Sequence, residues 1–301
     1  MNLTGVQTKE SLKRLRVVFF GTPEFVLPVF HSVHAEFQLV GVVTTPDARV
    51  GRKQILTASA IAQEAEKLHL PIIKAQKYDD EIVTQISALA PDIFVVASYG
   101  KIIPQRVLDL PVHGSINVHP SKLPYFRGAT PIQSQILAGI TDSAISFILL
   151  DAKMDHGPLL HQEPFIISEN DKNKTLHTAM FIKAAEVLPT VIQRFIQEKI
   201  IPVEQDHSLA TFCKPFQRDS GFFELENPPS SDELDRMIRG YFPWPTAWTI
   251  WKISQDRQMI IKFLPDGIVQ PEGKKPMKWK EFLNGYPDFP KRYFANSQFV
   301  S

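Results

Sequence analysis

Ile93-Phe94-Val95-Val96-Ala97 is an uninterrupted apolar run that ends at Ser98-Tyr99-Gly100, and Val17-Val18-Phe19-Phe20 is a second such run that ends at Gly21-Thr22-Pro23. Short apolar runs bounded by turn residues are typical of strands buried on both faces of a parallel sheet. Further strand-like runs lie at 38–43 and 71–73, and segments with helical spacing lie at 24–34, 57–67 and 79–89. The alternation predicts an α/β fold with a Rossmann-like, mostly parallel sheet and flanking helices.

The second half of the chain continues this pattern and then departs from it. Helical spacing recurs at 131–138 and 175–197, with a strand-like run at 145–150 between them. Strand candidates then follow closely at 248–252, 259–263 and 267–270. We therefore predict a flexible extension over 1–12, an α/β catalytic domain over 13–198, a linker over 199–207 and a smaller β-rich domain over 208–301.

The composition is that of an ordinary globular protein. Of the 301 residues, 44% are hydrophobic and 22% are charged, as in typical soluble domains. The formal charge is +1, so a nucleic-acid partner would need a local basic patch. Cys213 is the single cysteine, which excludes a disulfide within this chain and favours a reducing compartment. No apolar run reaches membrane-spanning length, and we expect a cytoplasmic protein.

The most informative polar residues follow a strand-like run. Ser115-Ile116-Asn117-Val118-His119-Pro120 suits a short strand that ends in a turn, and strand side chains alternate between faces, so Asn117 and His119 point the same way. Asp155 follows the next strand-like run, and sites in such sheets lie at the carboxyl ends of the strands. An amide, an imidazole and a carboxylate at one edge suit acyl-type transfer to an amine, because they can stabilise an oxyanion and move a proton.

Two other kinds of site are not favoured. The turn Phe20-Gly21-Thr22-Pro23-Glu24 has one glycine where the dinucleotide-binding fingerprint has three, and Pro23 lacks the amide hydrogen that could face a phosphate. No Cys/His spacing offers a metal site, and we predict that no metal is required.

A long ordered pattern in this chain resembles the 10-formyltetrahydrofolate-dependent formyltransferases, and among them the enzymes that act on methionyl-tRNA. The segments that carry the resemblance are 19–25, 98–104, 117–124 (Asn-Val-His-Pro-Ser-Lys-Leu-Pro), 127–133 (Arg-Gly-Ala-Thr-Pro-Ile-Gln), 205–211 and 242–245 (Phe-Pro-Trp-Pro). The resemblance implies transfer of a formyl group from 10-formyltetrahydrofolate to the α-amine of methionine on initiator tRNA.

The resemblance also implies roles for individual residues. His119 would stabilise the oxyanion and the leaving nitrogen, Asn117 would donate a second hydrogen bond to the oxyanion, and Asp155 would keep His119 protonated and relay a proton from the amine through water. The residues that would contact the folate are Ser121, Lys122, Leu123 and Pro124, with the backbone near Tyr99, Gly100 and Ile102 lining the pterin pocket.

The tRNA enzymes of this family have a basic, glycine-containing loop after the second strand that reaches the acceptor stem. The segment 45–53 stands at that place, poorer in glycine but with the cations Arg49, Arg52 and Lys53. We predict that these three, together with Lys274 and Lys275, contact tRNA phosphates. From composition alone, a solvated surface loop accounts for the segment equally well.

The C-terminal region departs from the family pattern. The family has a small β-barrel there that embraces tRNA, and several of its usual strands are missing between Phe263 and Gly267. An incomplete barrel has open edges, so we expect a reduced domain, or coverage by another chain or by the aromatic tail at 286–299.

This departure keeps a second hypothesis open, in which the same chemistry acts on a small amine such as an amino group of a nucleotide-linked sugar. An RNA-binding protein with a decayed active site is not favoured, because Asn117, His119 and Asp155 are all present.

Overall fold

The computed structural model describes residues 14–51 and 54–294. The predictions for the extension at 1–12 and for Arg52 and Lys53 lie outside the described residues. The strands of the first part of the chain are β1 (Arg16–Gly21), β2 (Gln38–Thr44), β3 (Ala48–Val50), β4 (Ile55–Thr57), β5 (Ile72–Lys74), β6 (Ile93–Ala97), β7 (Ser115–His119), β8 (Arg127–Gly128), β9 (Asp142–Leu149), β10 (Leu159–Ile166) and β11 (Phe212–Cys213). The α-helices of the chain are α1 (Leu27–Glu36), α2 (Ala60–Lys67), α3 (Asp80–Ala88), α4 (Gln105–Leu108), α5 (Pro131–Leu137), α6 (Asn173–Ile196), α7 (Ser231–Tyr241) and α8 (Trp279–Gly285).

The main sheet has seven strands in the order β10-β9-β7-β6-β1-β2-β5. The pairs β1–β2, β1–β6, β2–β5 and β6–β7 are parallel, whereas β7 and β9 are antiparallel. This confirms the predicted α/β fold with a mostly parallel sheet. All five residues of β6 are buried, as are all five of β7, because helices on both faces exclude water from the centre of such a sheet.

The structure differs from the sequence predictions at two places between β2 and β5. The segment after β2, expected as a loop, contains the antiparallel hairpin β3–β4, with Arg49 opposite Leu56 and Gly51 in the turn at a φ of 71°. The next helix begins at Ala60 rather than at Thr57, because the Ser59 hydroxyl accepts a hydrogen bond from the Ala62 amide (3.0 Å) and caps the first turn.

The described chain forms two compact units. One comprises 14–51, 54–129, 143–165 and 177–212, and the other comprises 130–142, 166–176 and 213–294. The second unit therefore takes α5 from the middle of the chain, where Arg236 on α7 donates a hydrogen bond from Nε to the Leu137 carbonyl (3.1 Å). The predicted division into domains at 198 and 207 stays a prediction.

The second unit contains the β-rich region predicted from the sequence. Its strands are β12 (Ala247–Ser254), β13 (Arg257–Leu264), β14 (Ile268–Pro271) and β15 (Met277–Lys278), antiparallel and in that order. Four strands are one fewer than in a five-stranded OB-type barrel. β15 forms one edge of the sheet, and β12, at the other edge, is bridged at Trp248 by Phe222.

Aromatic residues from the end of the described chain complete the core under this sheet. Phe289 and Phe294 are 2% and 1% exposed. The Phe294 ring lies 5.2 Å from that of Phe263, and the Phe289 ring lies 5.8 Å from that of Trp279. The aromatic tail, one of the alternatives raised by the sequence, thus packs against the inner face of the sheet up to residue 294.

Gly157 lies at a point of close backbone contact in the loop between β9 and β10. A Cβ atom at Gly157 would overlap the carbonyl oxygen of Leu149, because the loop returns directly against the end of β9. Any larger residue must displace the loop that carries Asp155.

We expect Gly157→Ala to lower the melting temperature and to reduce catalytic turnover, since backbone must move to admit the methyl group. The measurements are a thermal melt and an assay of the formyl transfer that the sequence resemblance implies. Gly285→Ala is the matched control, because a Cβ there meets no atom within 4 Å. Equal melting temperatures for the two variants would contradict this reading of the loop.

Candidate active site

The carboxylate of Asp155 is the meeting point of the candidate site. Its Oδ2 accepts a hydrogen bond from the Gly128 amide (2.8 Å). Its Oδ1 lies 3.3 Å from Nδ2 of Asn117 and 3.5 Å from Nδ1 of His119. The three residues that the sequence placed at one edge of the sheet are therefore in contact.

The sheet brings Asn117 and His119 to this point. Both lie on β7, two residues apart, and are 8% and 4% exposed. In the pairing of β7 with β9, Asn117 is opposite Ile148 and His119 is opposite Ser146. Because β9 runs antiparallel to β7, it ends at the far edge, and its following loop returns with Asp155. Asp155 itself has a φ of 48°, in the left-handed region that few non-glycine residues adopt.

The second ring nitrogen of His119 is also engaged. Nε2 lies 3.0 Å from the carbonyl oxygen of Phe126. A carbonyl oxygen only accepts hydrogen bonds, so Nε2 carries a hydrogen and Nδ1 is the nitrogen that faces the Asp155 carboxylate. The ring is thus held in one orientation between a backbone acceptor and a carboxylate.

Arg127 is 3% exposed. It stands between Phe126, whose carbonyl contacts His119, and Gly128, whose amide binds Asp155. Its Nη2 and Nε donate to Oε1 of Gln205 at 2.6 and 3.2 Å, and Nη2 also lies 2.9 Å from Nδ1 of His207. Burial lowers the pKa of the Arg127 guanidinium, and the negative charges of Asp155 and Asp151 oppose that shift. A guanidinium stays protonated throughout the physiological range.

The predicted folate residues at 121–124 form a tight turn after β7. Ser121 is buried and donates its hydroxyl hydrogen to the Tyr125 carbonyl (2.7 Å). Leu123 is buried and its carbonyl accepts from Nε2 of Gln162 (2.9 Å). The Lys122 side chain is exposed, and the Leu123–Pro124 peptide bond is cis. The turn therefore follows directly after His119, and the polar groups on its inner side form hydrogen bonds with other residues of the chain.

The predicted pterin residues lie in the loop after β6. Tyr99 is buried, and its carbonyl accepts a hydrogen bond from the Thr22 hydroxyl (2.9 Å) at the end of β1. Gly100 has a φ of 85°, and Ile102 is 75% exposed. Lys101 donates from Nζ to the carbonyls of Ala75 and Gln76, both at 2.8 Å. The loop is thus tied to the carboxyl edge of the sheet, where Asn117 and His119 also lie.

The described residues of the predicted tRNA contact are all on the surface. Arg49 is exposed on β3, and its Nη1 donates to the Gln54 carbonyl at 3.2 Å. Lys274 and Lys275 are exposed in the turn between β14 and β15. Exposed cations can reach phosphates, and their assignment to tRNA stays a prediction.

Within the described residues, no group of three or more His, Cys, Asp or Glu side chains is arranged to hold a metal ion; the prediction that no metal is required is not tested by this. None of the helices in 14–51 and 54–294 combines the length and apolar character needed to cross a membrane.

The sequence did not assign roles to the backbone of 126–128 or to Gln205. The Phe126 carbonyl and the Gly128 amide act through main-chain atoms, which carry no side-chain signature. The only available signal was that Arg127, Gly128 and Gln205 belong to segments of the resemblance.

Comparisons with known proteins place this geometry in a family. The family model described as "Formyl transferase" matches residues 14–192. A protein of Geobacillus sp. (strain WCH70) named methionyl-tRNA formyltransferase is 33% identical over 302 residues, covering 90% of this chain and 94% of its own length. One of the same name from Roseiflexus sp. (strain RS-1) is 38% identical over 241 residues, covering 79% and 74%.

Among solved structures, a sugar N-formyltransferase from Shewanella sp. superposes with a TM-score of 0.62 over 83% of this chain and 97% of its own, at 13% identity. That likeness concerns the fold alone. The family model covers more than half of the chain, and the relatives are more than 30% identical over most of it. The chain therefore belongs to the formyl transferase family and, within it, to the methionyl-tRNA formyltransferases.

Proposed function

We propose that this protein transfers the formyl group of 10-formyltetrahydrofolate to the α-amine of methionine on initiator tRNA. The observation that carries the proposal is the convergence of Asn117, His119 and Asp155, with both ring nitrogens of His119 facing acceptors. The names of the relatives supply the substrate, and a folate-derived formyl donor follows from the family.

In the proposed reaction, the amine nitrogen attacks the formyl carbon, and the carbonyl electron pair moves to the formyl oxygen. The tetrahedral intermediate collapses when the bond between carbon and N10 breaks, with the electron pair and a proton going to N10. The amine loses one proton, so formylated amine and tetrahydrofolate are the products and no redox step is involved.

Asn117 and His119 are the proposed stabilisers of the oxyanion. The Asn117 amide has two hydrogens, and its contact with Asp155 uses one of them, so the other can be directed at the formyl oxygen. An oxyanion-hole donor of this kind contributes about 3 kcal/mol. The protonated form of His119 presents a second hydrogen on Nδ1, at the site that it shares with Asp155.

Asp155 is the proposed acceptor for the proton of the amine. Its Oδ2 is held by the Gly128 amide, so Oδ1 is the oxygen directed at Asn117 and His119. A water molecule between Oδ1 and the amine would carry the proton, and the same carboxylate stabilises the positive charge of His119 when the oxyanion forms.

We propose that Ser121, Lys122, Leu123, Pro124, Tyr99, Gly100 and Ile102 border the folate. Arg49, Arg52, Lys53, Lys274 and Lys275 are the proposed tRNA contacts. Because the tRNA substrate of translation initiation is cytoplasmic, we propose that the protein works in the cytoplasm. The catalytic role is assigned to 13–198 and the tRNA-binding role is shared with 208–301.

A nucleotide-linked sugar as substrate is less well supported. The sugar N-formyltransferase matches at 13% identity, whereas relatives that carry the tRNA enzyme's name match at 33% and 38%. The test is formyl transfer from 10-formyltetrahydrofolate to methionine-charged initiator tRNA, with uncharged tRNA and an amino-sugar nucleotide as parallel substrates. Turnover with the sugar nucleotide alone would overturn the proposal, and turnover with the charged tRNA alone would support it.

Replacing His119 with alanine should reduce kcat by roughly 100- to 10,000-fold, the range typical of a lost acid–base group. His119 is buried, so His119→Gln, which keeps more of the volume, is made alongside it. Folate affinity, measured by calorimetry, should be nearly unchanged in both variants.

The exposed His34 on α1 is the matched control, and His34→Ala should turn over like the parent protein. Substantial activity in His119→Gln and His119→Ala would remove His119 from the mechanism.

Replacing Arg49, Arg52 and Lys53 together with alanine should weaken tRNA binding and flatten its salt dependence. Each lost phosphate contact lowers the slope of log K against log salt by up to about 0.9. The measurement is tRNA binding across a salt series.

The control for this variant removes the same charge from the exposed residues Lys67, Lys77 and Lys199. Similar slopes for the two triple variants would mean that the hairpin loop is an ordinary surface.

A further inference from the structure

The segment that follows the residues matched by the family model makes direct contacts to the backbone of the active site. Gln205 is 4% exposed. Its Oε1 accepts from Nη2 and Nε of Arg127, at 2.6 and 3.2 Å. Its Nε2 donates to the carbonyls of Asp155 and Gly157, at 3.0 and 2.7 Å. The amide therefore uses two donors and two acceptor sites, its full hydrogen-bonding capacity.

Thr211 holds the other side of the same structure. Its hydroxyl accepts from the Phe126 amide (2.8 Å), and its carbonyl accepts from the Arg127 amide (2.9 Å). The carbonyl of Phe126 in turn receives Nε2 of His119, and the amide of Gly128 binds Asp155. Gln205 and Thr211 thus fix the short segment that orients both catalytic groups.

Two stacked histidine rings also connect the Asp155 loop to Arg127. The rings of His156 and His207 stack at 3.9 Å with an interplanar angle of 11°. Nδ1 of His156 lies 2.7 Å from Oδ2 of Asp151, and Nδ1 of His207 lies 2.9 Å from Nη2 of Arg127. A guanidinium only donates, so Nδ1 of His207 is the acceptor.

We infer that Gln205 is a positioning residue for formyl transfer, which sets the place of Asp155 by holding the carbonyls on either side of His156 and by fixing Arg127. It does not act on the substrate itself. A shift of about 1 Å in a catalytic group can cost on the order of 100-fold in rate, and the Gln205 side chain joins the backbone of the Asp155 loop to the Arg127 guanidinium.

A primary amide is the chemical group that this place requires. A glutamate would keep the acceptor for Arg127 but would set a carboxylate oxygen against two carbonyl oxygens and lose both donors. A methionine would leave the two carbonyls and the buried guanidinium without this partner, and unmade buried hydrogen bonds are costly. The two substitutions therefore perturb the same contacts in different ways.

The inference rests on the proposed function and is tested with Gln205→Glu and Gln205→Met. We expect kcat to fall roughly 10- to 100-fold, the effect of about 1 Å of displacement or less. The KM values for folate and charged tRNA should stay within about twofold, since Gln205 touches neither substrate in the proposed mechanism. A purely structural role would lower the melting temperature without separating kcat from KM.

A double-mutant cycle shows whether Gln205 acts through Asp155. In an Asp155→Asn background, Gln205→Glu should produce little further loss of kcat, because the group that it positions no longer functions. Losses that multiply in the double variant would overturn the inference, as would unchanged kcat in both single variants. Loss of the folded state in both would also overturn it, since Gln205 would then serve stability.

A readout without turnover separates this inference from the proposed function. The ring ¹⁵N resonances of His119, assigned with His119→Gln, should move in Gln205→Glu. They should stay in place in Ser208→Ala, which removes only the local hydroxyl contact with Asp206 (2.6 Å). If the parent protein shows no formyl transfer, the proposed function is wrong. If the parent protein is active but the His119 resonances do not move in Gln205→Glu, the proposed role of Gln205 is wrong.

Discussion

The carboxylate of Asp155 is shared among three partners, Asn117 and His119 on β7 and Gly128 on β8, and the candidate site depends on that sharing. One oxygen is bound at 2.8 Å by the Gly128 amide, and the other faces Asn117 and His119 at 3.3 and 3.5 Å. The short contact fixes the carboxylate, and the two longer ones leave its second oxygen able to respond when charge develops. A rigid anchor on one oxygen with looser contacts on the other suits a group that must accept and release a proton.

The position of β7 explains why these groups can meet. On one side β7 pairs in parallel with β6, and on the other it pairs in antiparallel fashion with β9. The parallel side places the carboxyl ends of β1, β6 and β7 at one edge, together with their polar loops. Because β9 runs in the opposite direction, it ends at the other edge of the sheet, and the loop that follows it must return to bring Asp155 to Asn117 and His119. A returning loop thus supplies the carboxylate, whereas β7 itself supplies the amide and the imidazole.

The sequence predicted the features that depend on the side chains of neighbouring residues. The apolar run at 93–97 coincides with β6, and the spacing of Asn117 and His119 placed them on one face of a strand. The hairpin β3–β4 was missed because each of its strands has only three residues, which is too short for a periodic pattern to be recognised. Helix α7 was missed although Ser230 and Glu233 form a capping box that is readable in the sequence. The contacts of Gly128, Phe126 and Gln205 could not be predicted, because they join groups up to 78 residues apart in the chain and several of these groups are backbone atoms.

Helix α5 belongs to the second unit, although it comes before most of that unit in the chain. Residues 131–137 are synthesised almost a hundred residues before Arg236 of α7, which donates a hydrogen bond to the Leu137 carbonyl. The core of the same unit is then completed by Phe289 and Phe294 near the end of the described chain. On the ribosome, α5 must therefore wait for partners that emerge much later. A cut made between the two halves of the sequence would separate α5 from α7, which belong to one compact unit.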